Sequence, residues 1–528
     1  MSVRAVYDAV LRAFAPHRAR FERAITDPVE AQRARIASTM QALDLRGPRT
    51  FEGFSRSAPV VGPEELRTTM RDVVEGRATH VRGQRVLFVE ETGGTTGGAR
   101  HVPISARFLD ELHAGLAPWL HDLFTSHTRA TEGRAYWAIS PMARGPRATP
   151  GGVPIGAPDD AVYFPPSEGA LLGETFAVSG EVARAPDMTA CRLETAIRLV
   201  ACEDLAFISV WSPTFLSLLL QTIVDERERI EHALGRGDAN ARRSLSRVRV
   251  ALDSEHPFAS LWPSLALVSM WCDASSALFV DEVRRALPQA AIAPKGLLAT
   301  EGMISVPLSD AEGPVLAVDG HVLEFIPLDD ESARPRFAHE LSEGAHYEVV
   351  VTTGAGLVRQ RMGDVVEVVG HHGRTPCVRF VGRATDGVDL VGEKLHVDVV
   401  ERAIRAALSA SSVQSRLALL APRLSPAPGY CLYLDSDASD VVAGEIARHV
   451  DEALRREMPY AHARALAQLA PIEPACVVDG LATIERRALA RGQRAGNVKP
   501  PSLSPLSDWD AWFTLRAADE RARMKGAA

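Results

Sequence analysis

The chain has 528 residues, of which 46% are hydrophobic and 24% are charged. This length and balance exclude a disordered chain, a collagen-like fibre and a small disulfide scaffold, and they predict more than one globular domain. The net charge of −8 lacks the basic surplus that nucleic-acid binding requires. We therefore expect no nucleic-acid partner.

The cysteines and the most apolar segment both indicate a cytoplasmic protein. The six cysteines are widely scattered and form no Cys-x-x-Cys pair, which argues against structural zinc and a disulfide framework. The most apolar run, Leu205–Leu220, is interrupted by Ser212-Pro213 and is too short for a typical membrane span. It is better interpreted as a buried strand, a turn and the start of a helix, so no membrane partner is expected.

The predicted elements change in character along the chain. Residues 1–45 are predicted to be helical, and a further helix opens at Pro63 before a strand at Val86–Val89. From 105 to 290, helical stretches alternate with short apolar strands, which predicts α/β layers. Residues 346–381 are β-rich and indicate hairpins or a small barrel, and the remainder fits a compact α+β domain of about 140 residues.

A glycine- and threonine-rich loop, Thr92-Gly93-Gly94-Thr95-Thr96-Gly97, follows the strand near Val89. Glycines let successive backbone N–H groups converge on an anion, and threonine hydroxyls add donors, so the loop suits a polyphosphate. It is not a P-loop, because Gly98 is followed by Ala99-Arg100 instead of Lys-Ser/Thr. The alternative interpretation is a plain turn.

A second motif, Lys295-Gly296-Leu297-Leu298-Ala299-Thr300-Glu301-Gly302, places one carboxylate beside a glycine near the end of a strand. Proteins commonly hold Mg²⁺ through one or two carboxylates, while substrate phosphates complete the coordination. Glu301 is therefore a candidate Mg²⁺ ligand. The alternative is a surface glutamate at a turn.

Two further motifs follow in the second half of the chain. Asp364 ends the segment 352–364 (TTGAGLVRQRMGD), where an aspartate can accept both hydroxyls of a ribose; the alternative is a turn that only shapes a hairpin. Gly382-Arg383-Ala384-Thr385-Asp386 then precedes Gly392-Glu393-Lys394, where the composition shifts. Each motif is a weak signal alone, so their order and spacing carry the prediction.

In this order the motifs resemble the adenylate-forming superfamily, whose phosphate loop reads roughly Ser-Ser-Gly-Thr-Thr-Gly-x-x-Lys, with Arg100 here in the lysine place. Within it, the chain resembles the auxin-responsive (Gretchen Hagen) acyl acid amido synthetase family, in its bacterial branch. Residues 353–369 (TGAGLVRQRMGDVVEVV) are similar to the family signature Thr-x-x-Gly-Leu-Tyr-Arg-Tyr-Arg-x-Gly-Asp-Val. The resemblance covers most of residues 50–400 and is thin past 405.

The resemblance implies an α/β fold of the adenylate-forming type. Residues 1–385 would form a large N-terminal domain of layered β-sheets and helices with a β-barrel-like part, which binds ATP and the acyl acid. Residues 386–528 would form a smaller, mobile α+β C-terminal domain.

The resemblance also implies two half-reactions that use ATP and Mg²⁺. A small carboxylic acid and ATP give an acyl-adenylate and pyrophosphate, and an amine or amino acid then forms the amide and releases AMP. Two alternatives remain: transfer of the acyl group to the thiol of coenzyme A or a carrier protein, and a non-catalytic homologue that holds a nucleotide or acyl ligand.

Carried over position by position, the resemblance assigns catalysis to Arg100, Glu301 and Lys394, with Glu301 as the Mg²⁺ ligand. The residues expected to contact ATP or AMP are Thr92, Gly93, Gly94, Thr95, Thr96, Gly97, Leu298, Ala299, Thr300, Glu301, Asp364, Arg383 and Lys394. Arg383 and Asp386 match the superfamily's interdomain hinge pattern, Gly-Arg-x-x-Asp. Candidates for the acyl pocket are Trp211, Ser212, Pro213 and Val358.

The chain departs from the family pattern in three ways. Val358 and Gln360 replace the two tyrosines of the signature and remove phenolic contacts from the acyl pocket or from the nucleotide. Thr92-Gly93 replaces the paired serines of the phosphate loop, and Arg100 replaces its lysine, so both changes alter contacts to phosphate.

Lysine is rare in this chain, with only Lys295, Lys394, Lys499 and Lys525 among 59 basic residues. Because arginine is the default cation here, a lysine indicates a place where a compact ammonium is required. The first three lie in or near motifs that the family resemblance singles out, and Lys394 has the spacing from Gly382-Arg383 that fits the superfamily best.

Overall fold

The computed structural model describes the chain except residues 93–99, 139–146, 158–159, 238, 329–332, 385–386, 392, 394, 426, 492, 494–497 and 517–528. The described residues form two compact units. The first comprises Met1–Trp211, Leu219–Trp271 and Glu282–Phe380. The second comprises Ser212–Leu218, Cys272–Asp281 and the chain from Val381 onward.

Sixteen α-helices lie in the described part of the chain. They are α1 (Val3–Thr26), α2 (Pro28–Ala42), α3 (Phe51–Ser57), α4 (Pro63–Val74), α5 (Ala106–Ser126), α6 (Pro166–Glu174), α7 (Met188–Ala201), α8 (Pro213–Asp225), α9 (Arg227–Arg236), α10 (Ala239–Leu252), α11 (Pro257–Leu261), α12 (Val280–Ala286), α13 (Val397–Ala410), α14 (Asp440–Leu454), α15 (Met458–Ala465) and α16 (Gly480–Ala490).

The β-strands of the described residues are mostly short. In the first unit they are β1 (His80–Val81), β2 (Gln84–Arg85), β3 (Phe88–Thr92), β4 (Arg100–Ile104), β5 (Arg134–Trp137), β6 (Arg147–Ala148), β7 (Pro154–Ile155), β8 (Leu205–Ser209), β9 (Leu267–Met270), β10 (Ala291–Pro294), β11 (Leu298–Ala299), β12 (Gly302–Met303), β13 (Ser305–Val306), β14 (Val315–Leu316), β15 (Val322–Pro327), β16 (Arg336–Phe337), β17 (His346–Thr352) and β18 (Gln360–His372). Strand β19 (Thr375–Arg383) leads into the second unit, whose other strands are β20 (Gly387–Val388), β21 (Leu395–His396), β22 (Ser415–Arg423), β23 (Gly429–Ser436), β24 (Glu473–Val478) and β25 (Thr514–Leu515).

The first two helices show why the N-terminal segment is helical. Ser2 caps α1 by accepting a hydrogen bond from the Ala5 N–H, and Asp27 caps α2 in front of Pro28. The buried residues of α1, which include Val10 and Phe14, recur at helical spacing and face the core of the first unit. The helices predicted for residues 1–45 are therefore confirmed.

A four-stranded sheet in the order β10-β9-β8-β5 forms the centre of the first unit, and its neighbouring strands pair in parallel. All five residues of β8 are buried. Strands that are covered on both faces are continuous apolar runs instead of alternating ones. This explains why Leu205–Leu220 is so apolar; it forms β8, a turn and the start of α8, as predicted.

Two other large sheets belong to the first unit, beside the two-stranded sheets β1-β2 and β11-β12. A seven-stranded antiparallel sheet in the order β13-β14-β19-β18-β17-β15-β16 contains the predicted β-rich segment 346–381. A four-stranded sheet in the order β4-β3-β7-β6 carries the hairpin that encloses the predicted phosphate loop. The predicted strand Val86–Val89 is shifted, because β3 begins at Phe88 and runs on to Thr92.

The second unit is built on the sheet β22-β23-β24-β25. Along β22, Leu417 and Leu419 pack into one cluster with residues of α16, whereas Ala418 and Leu420 pack into another with α13 and α14. Successive side chains of a strand point to opposite faces, so helices cover both faces of this sheet. The α/β fold with a smaller α+β unit is confirmed. No helix of the described residues is long and apolar enough to cross a membrane.

Candidate active site

Strands β3 and β4 hold the two ends of the predicted phosphate loop side by side. They pair antiparallel, and Thr92 lies opposite Arg100 in the residue pair nearest the loop. The loop residues Gly93, Gly94, Thr95, Thr96 and Gly97 lie outside the described residues, as do the side chains of Thr92 and Arg100. Their contact with phosphate and the catalytic role of Arg100 stay predictions.

The second motif forms the hairpin of β11 and β12. Leu298 and Ala299 make up β11, and Thr300-Glu301 is its two-residue turn, because Ala299 pairs with Gly302. Glu301 is partly exposed at this turn. A Cβ atom on Gly302, whose φ is +153°, would lie 2.5 Å from His321 Nε2, so only glycine fits beside this histidine.

His321 connects the hairpin to a buried carboxylate. It is completely buried, stacks on Phe108 at a ring-centroid distance of 5.6 Å, and its Nδ1 lies 3.1 Å from Glu111 Oε2. Burial opposes ionisation, but the bond to His321, the charge of Arg35 and the N–H of Gly354 hold the pKa of Glu111 below its usual range. Glu111 is therefore a buried carboxylate that is held by several hydrogen bonds and ion pairs.

Glu111 also fixes the turn of the third motif. The Gly354 N–H donates to Glu111 Oε2 at 2.7 Å, and Ser105 Oγ donates to the Gly354 carbonyl at 2.9 Å. Ser105 directly follows β4 and caps α5. Through Ser105, Glu111 and His321, the structure therefore connects the phosphate-loop hairpin, the Thr300-Glu301 turn and the Gly354 turn. Sequence reasoning missed these residues, because none of them has a local motif.

Arg359 is a structural residue of the third motif. It is buried with φ at +47°, and its guanidinium forms two 2.8 Å hydrogen bonds with Glu324. It also donates to the carbonyls of Ser55 and Ala58. These bonds connect the start of β18 to β15 and to the segment before α4. Arg359 therefore holds the turn before β18 in place.

Asp364 lies within a bulge of β18. The register with β17 shifts between Glu348 and Val350, and Gly363 in the opposing stretch has φ at +81°. A bulge redirects the side chains next to it and is common beside active sites. Asp364 and Val358 are buried. The roles of Asp364 toward ribose and of Val358 in the acyl pocket stay predictions.

Lys295 lies in an aromatic cage at the carboxyl edge of the parallel sheet. Only 2% exposed, it directly follows β10, and its Nζ lies 2.7 Å from Ser209 Oγ at the end of β8. The ammonium is 4.8 Å from the ring centroids of Trp119 and Trp211 and 5.9 Å from that of Trp137. The scarcity of lysine marked this residue in the sequence, but the tryptophans around it come from distant segments.

The acyl-pocket candidates are divided between the two units. Trp211 belongs to the first, where it contacts Lys295 and packs against Trp271 at 5.6 Å. Ser212 and Pro213 belong to the second and are buried, and Ser212 Oγ lies 2.6 Å from Thr214 Oγ1. Their shared role in an acyl pocket stays a prediction.

In the second unit, Arg383 ends β19, while Asp386 and Lys394 lie outside the described residues. The segment before Lys394 is organised by Glu393, which is buried and accepts hydrogen bonds from the N–H groups of Leu390 and Val391 and from the Tyr430 hydroxyl. The hinge and nucleotide contacts assigned here stay predictions.

A cavity of about 600 Å³ lies in the first unit among α1, α2 and α5. The cavity is lined by arginines, such as Arg20 and Arg35, and by carboxylates, such as Glu111 and Asp319. Ion pairs join Arg20 to Asp319 and Arg35 to Glu111. None of the predicted site residues lines this cavity, and its charges compensate one another, so we do not assign the substrates to it.

Comparison with known families gives two matches along the chain. The GH3 family N-terminal domain matches residues 32–292, and the GH3 family central domain matches residues 315–383. Together these domains span more than half of the chain; they include the ends of the phosphate-loop hairpin and the segment 352–364, whereas the Lys295–Gly302 motif lies between the two matched ranges.

Individual relatives of the chain carry the same family name. The probable indole-3-acetic acid-amido synthetase GH3.12 of Oryza sativa subsp. japonica is 26% identical over 440 residues, which cover 69% of this chain and 70% of the relative. A GH3 domain-containing protein of Homo sapiens is 34% identical over 90 residues, or 16% of this chain and 17% of the relative.

A solved structure shares the fold. The AtGH3.15 acyl acid amido synthetase in complex with 2,4-DB superimposes with a TM-score of 0.82 at 17% identity, over 94% of this chain and 95% of that one. The predicted family and fold are confirmed, and the chain belongs to the GH3 family.

Proposed function

We propose that this chain is an acyl acid amido synthetase. It activates a small carboxylic acid with ATP as an acyl-adenylate, releasing pyrophosphate, and then joins the acyl group to an amino acid as an amide, releasing AMP. The observation that carries the proposal is the connection of the phosphate-loop hairpin, the Thr300-Glu301 turn and the Gly354 turn through Ser105, Glu111 and His321. Family membership supplies the class of reaction.

The chemistry explains why several loops are needed. A carboxylate attacks the α-phosphate in line, so two anions must approach each other, and catalysis consists mainly of positioning and charge neutralisation. Backbone N–H groups of the phosphate loop and the cations Arg100 and Lys394 would supply that neutralisation. The buried bonds of Gly354 and Arg359 fix the frame that carries Asp364.

The donor set at the Thr300-Glu301 turn fits Mg²⁺. Mg²⁺ uses one or two protein carboxylates beside phosphate oxygens and water, and Glu301 offers one partly exposed carboxylate next to the Thr300 hydroxyl. When bound, the ion would reduce the charge on the phosphates. Glu301 would hold it, while Thr300, Leu298 and Ala299 would border the nucleotide.

The acyl acid would bind at the carboxyl edge of the parallel sheet. Ligands of α/β proteins commonly bind outside the carboxyl ends of the strands. Trp137 and Ser209 end β5 and β8, and Lys295 follows β10 at the same edge. Trp211 would form a wall of the pocket, with Lys295 holding its ring.

The acceptor and the domain movement belong to the same proposal. Relatives are named as indole-3-acetic acid-amido synthetase and as jasmonoyl–L-amino acid synthetase, which supports an amino acid as the acceptor.

Residues 1–385 would act as the adenylation domain and 386–528 as a mobile domain that turns about Arg383 and Asp386. We place the protein in the cytoplasm, where ATP is available.

The test is an exchange assay on the purified full chain. ATP–pyrophosphate exchange across a panel of carboxylic acids should reveal at least one acid that drives exchange, and mass spectrometry with amino acids should then detect the amide. A thioester formed with coenzyme A but no amide would favour the thiol ligase instead. Nucleotide binding without exchange for any acid would indicate a non-catalytic homologue.

A further inference from the structure

A cluster of side chains that could bind a metal ion lies away from the motifs described above. His17 of α1, His113 of α5 and Glu168 of α6 come from three helices of the first unit. Each offers one ligand atom, and these three atoms lie within 4.8 Å of one another. His113 Nε2 is 2.7 Å from Glu168 Oε2, and the His17 and His113 rings meet edge to face at 4.5 Å.

We propose that His17, His113 and Glu168 form a binding site for a divalent transition-metal ion, with Zn²⁺ as the best fit. Two imidazoles and one carboxylate are a recurrent zinc ligand set, which leaves a fourth position for water. Softer sites contain cysteine, and sites for Mg²⁺ or Ca²⁺ consist of oxygen ligands, so this donor set favours zinc or a neighbouring first-row metal.

The surroundings hold two of the three ligands firmly. The His113 and Glu168 side chains are 6% and 12% exposed. Phe14 and Phe164 each lie 6.1 Å from the His113 ring and limit its rotation. A hydrogen bond between one histidine and one glutamate would explain that pair alone, but not a second imidazole turned toward it.

The third ligand can complete the site by a small movement. Zinc bonds of about 2.0–2.1 Å in a tetrahedron place ligand atoms roughly 3.3 Å apart. His113 and Glu168 would separate slightly from 2.7 Å, and His17, which is partly exposed, would move inward from at most 4.8 Å.

The position of the site indicates what bound zinc would do. Helix α1 packs on α5 and α6, and the three ligands would join these helices with one ion. A ligand that binds only the folded state stabilises it. The ion would therefore act as a clamp on the N-terminal helix and would not enter the amide-forming reaction.

The experiment uses chelator-treated full-length protein and Zn²⁺ alone. Isothermal titration should show one tight site per chain, and Zn²⁺ should raise the melting temperature. Substitution with Co²⁺ should give the intense visible absorption of a tetrahedral site. His17→Gln should weaken Zn²⁺ binding at least tenfold without lowering the metal-free melting temperature, because His17 lies at the edge of the cluster.

Matched variants make the result decisive. Glu168→Gln should also weaken binding, whereas His256→Gln, an exposed histidine of the same unit, should leave affinity and stoichiometry unchanged. Equal Zn²⁺ affinity in the wild type and in His17→Gln would overturn the proposal, as would the absence of zinc-dependent stabilisation. Because no substrate is added, failure here is distinguishable from failure of the proposed function.

Discussion

Lys295 Nζ donates a hydrogen bond to Ser209 Oγ at 2.7 Å, which joins the carboxyl ends of β10 and β8 inside a ring of tryptophans. A buried ammonium is costly unless it is compensated, and here the hydroxyl and the π faces of Trp119 and Trp211 compensate it. The sheet edge therefore carries one fixed positive charge beside the proposed acyl site.

We expect Lys295→Met to keep the fold, since methionine fills a similar volume, and to lower pyrophosphate exchange at least tenfold, or roughly 1.4 kcal/mol. The loss should appear mainly in the KM for the acid, because the charge and the Trp211 wall would both change. Michaelis–Menten analysis of exchange against acid concentration measures this effect. An unchanged KM together with a shifted melting temperature would assign Lys295 to stability alone.

Glu301→Gln removes the charge proposed to hold Mg²⁺ while keeping the side chain nearly isosteric. Exchange should fall sharply at limiting Mg²⁺ and recover in part at high Mg²⁺, because a weaker site fills by mass action. Glu343→Gln, an exposed glutamate of the same unit, is the matched control. If the Mg²⁺ dependence of Glu301→Gln matched that of the control, Glu301 would not be a metal ligand.

Asp364→Ala should raise the KM for ATP. Loss of hydrogen bonds from ribose hydroxyls to a charged group costs about 1–3 kcal/mol, which corresponds to roughly 5- to 150-fold in affinity. Glu367→Ala changes another carboxylate of β18, three residues away, and should leave the ATP dependence unaltered. Equal KM values for the two variants would remove Asp364 from the nucleotide site.

Arg359→Met should destabilise the first unit by about 3–5 kcal/mol, because it leaves Glu324 buried without its partner. The pair Arg56–Glu52 is a suitable contrast, since both side chains are more than 70% exposed. Arg56→Met should cause little change in denaturant unfolding, as expected for a surface ion pair. Similar unfolding midpoints for Arg359→Met and the wild type would contradict the structural role of Arg359.

The sequence was sufficient to predict the motifs and several of the elements, because their signals are local. Helix caps, the apolar run of β8 and the glycine-rich turns depend on residues close in the chain. The connection between the motifs was not predictable in this way. Glu111 and His321 meet across 210 positions, and each is an unremarkable residue in its own segment.

The division of the chain into two units also depends on contacts between distant segments. Composition marks a change near residue 385, but Ser212–Leu218 and Cys272–Asp281 cluster with the second unit. These two segments join it through tertiary packing, as Leu218 and Phe279 do in the cluster that includes Leu417. A single boundary near residue 385 assigns every earlier residue to the first unit. It therefore cannot place these two earlier segments in the second unit.

Lys394 tests the argument from lysine scarcity. It lies outside the described residues, and its proposed role rests on its spacing from Gly382-Arg383. A slim ammonium can approach the α-phosphate or the leaving pyrophosphate where a planar guanidinium would collide. Lys394→Arg should therefore lower the overall rate of amide formation at least about tenfold, or roughly 1.4 kcal/mol of barrier, although the charge is kept.

Lys525→Arg is the control for that experiment, because Lys525 lies near the C-terminus, away from every motif. The control should form amide at the wild-type rate in the same steady-state assay. Separate measurement of pyrophosphate exchange and of acyl transfer will show which half-reaction depends on the ammonium. If Lys394→Arg matched Lys525→Arg in both half-reactions, the rarity of lysine would reflect composition alone, and Lys394 would leave the proposed site.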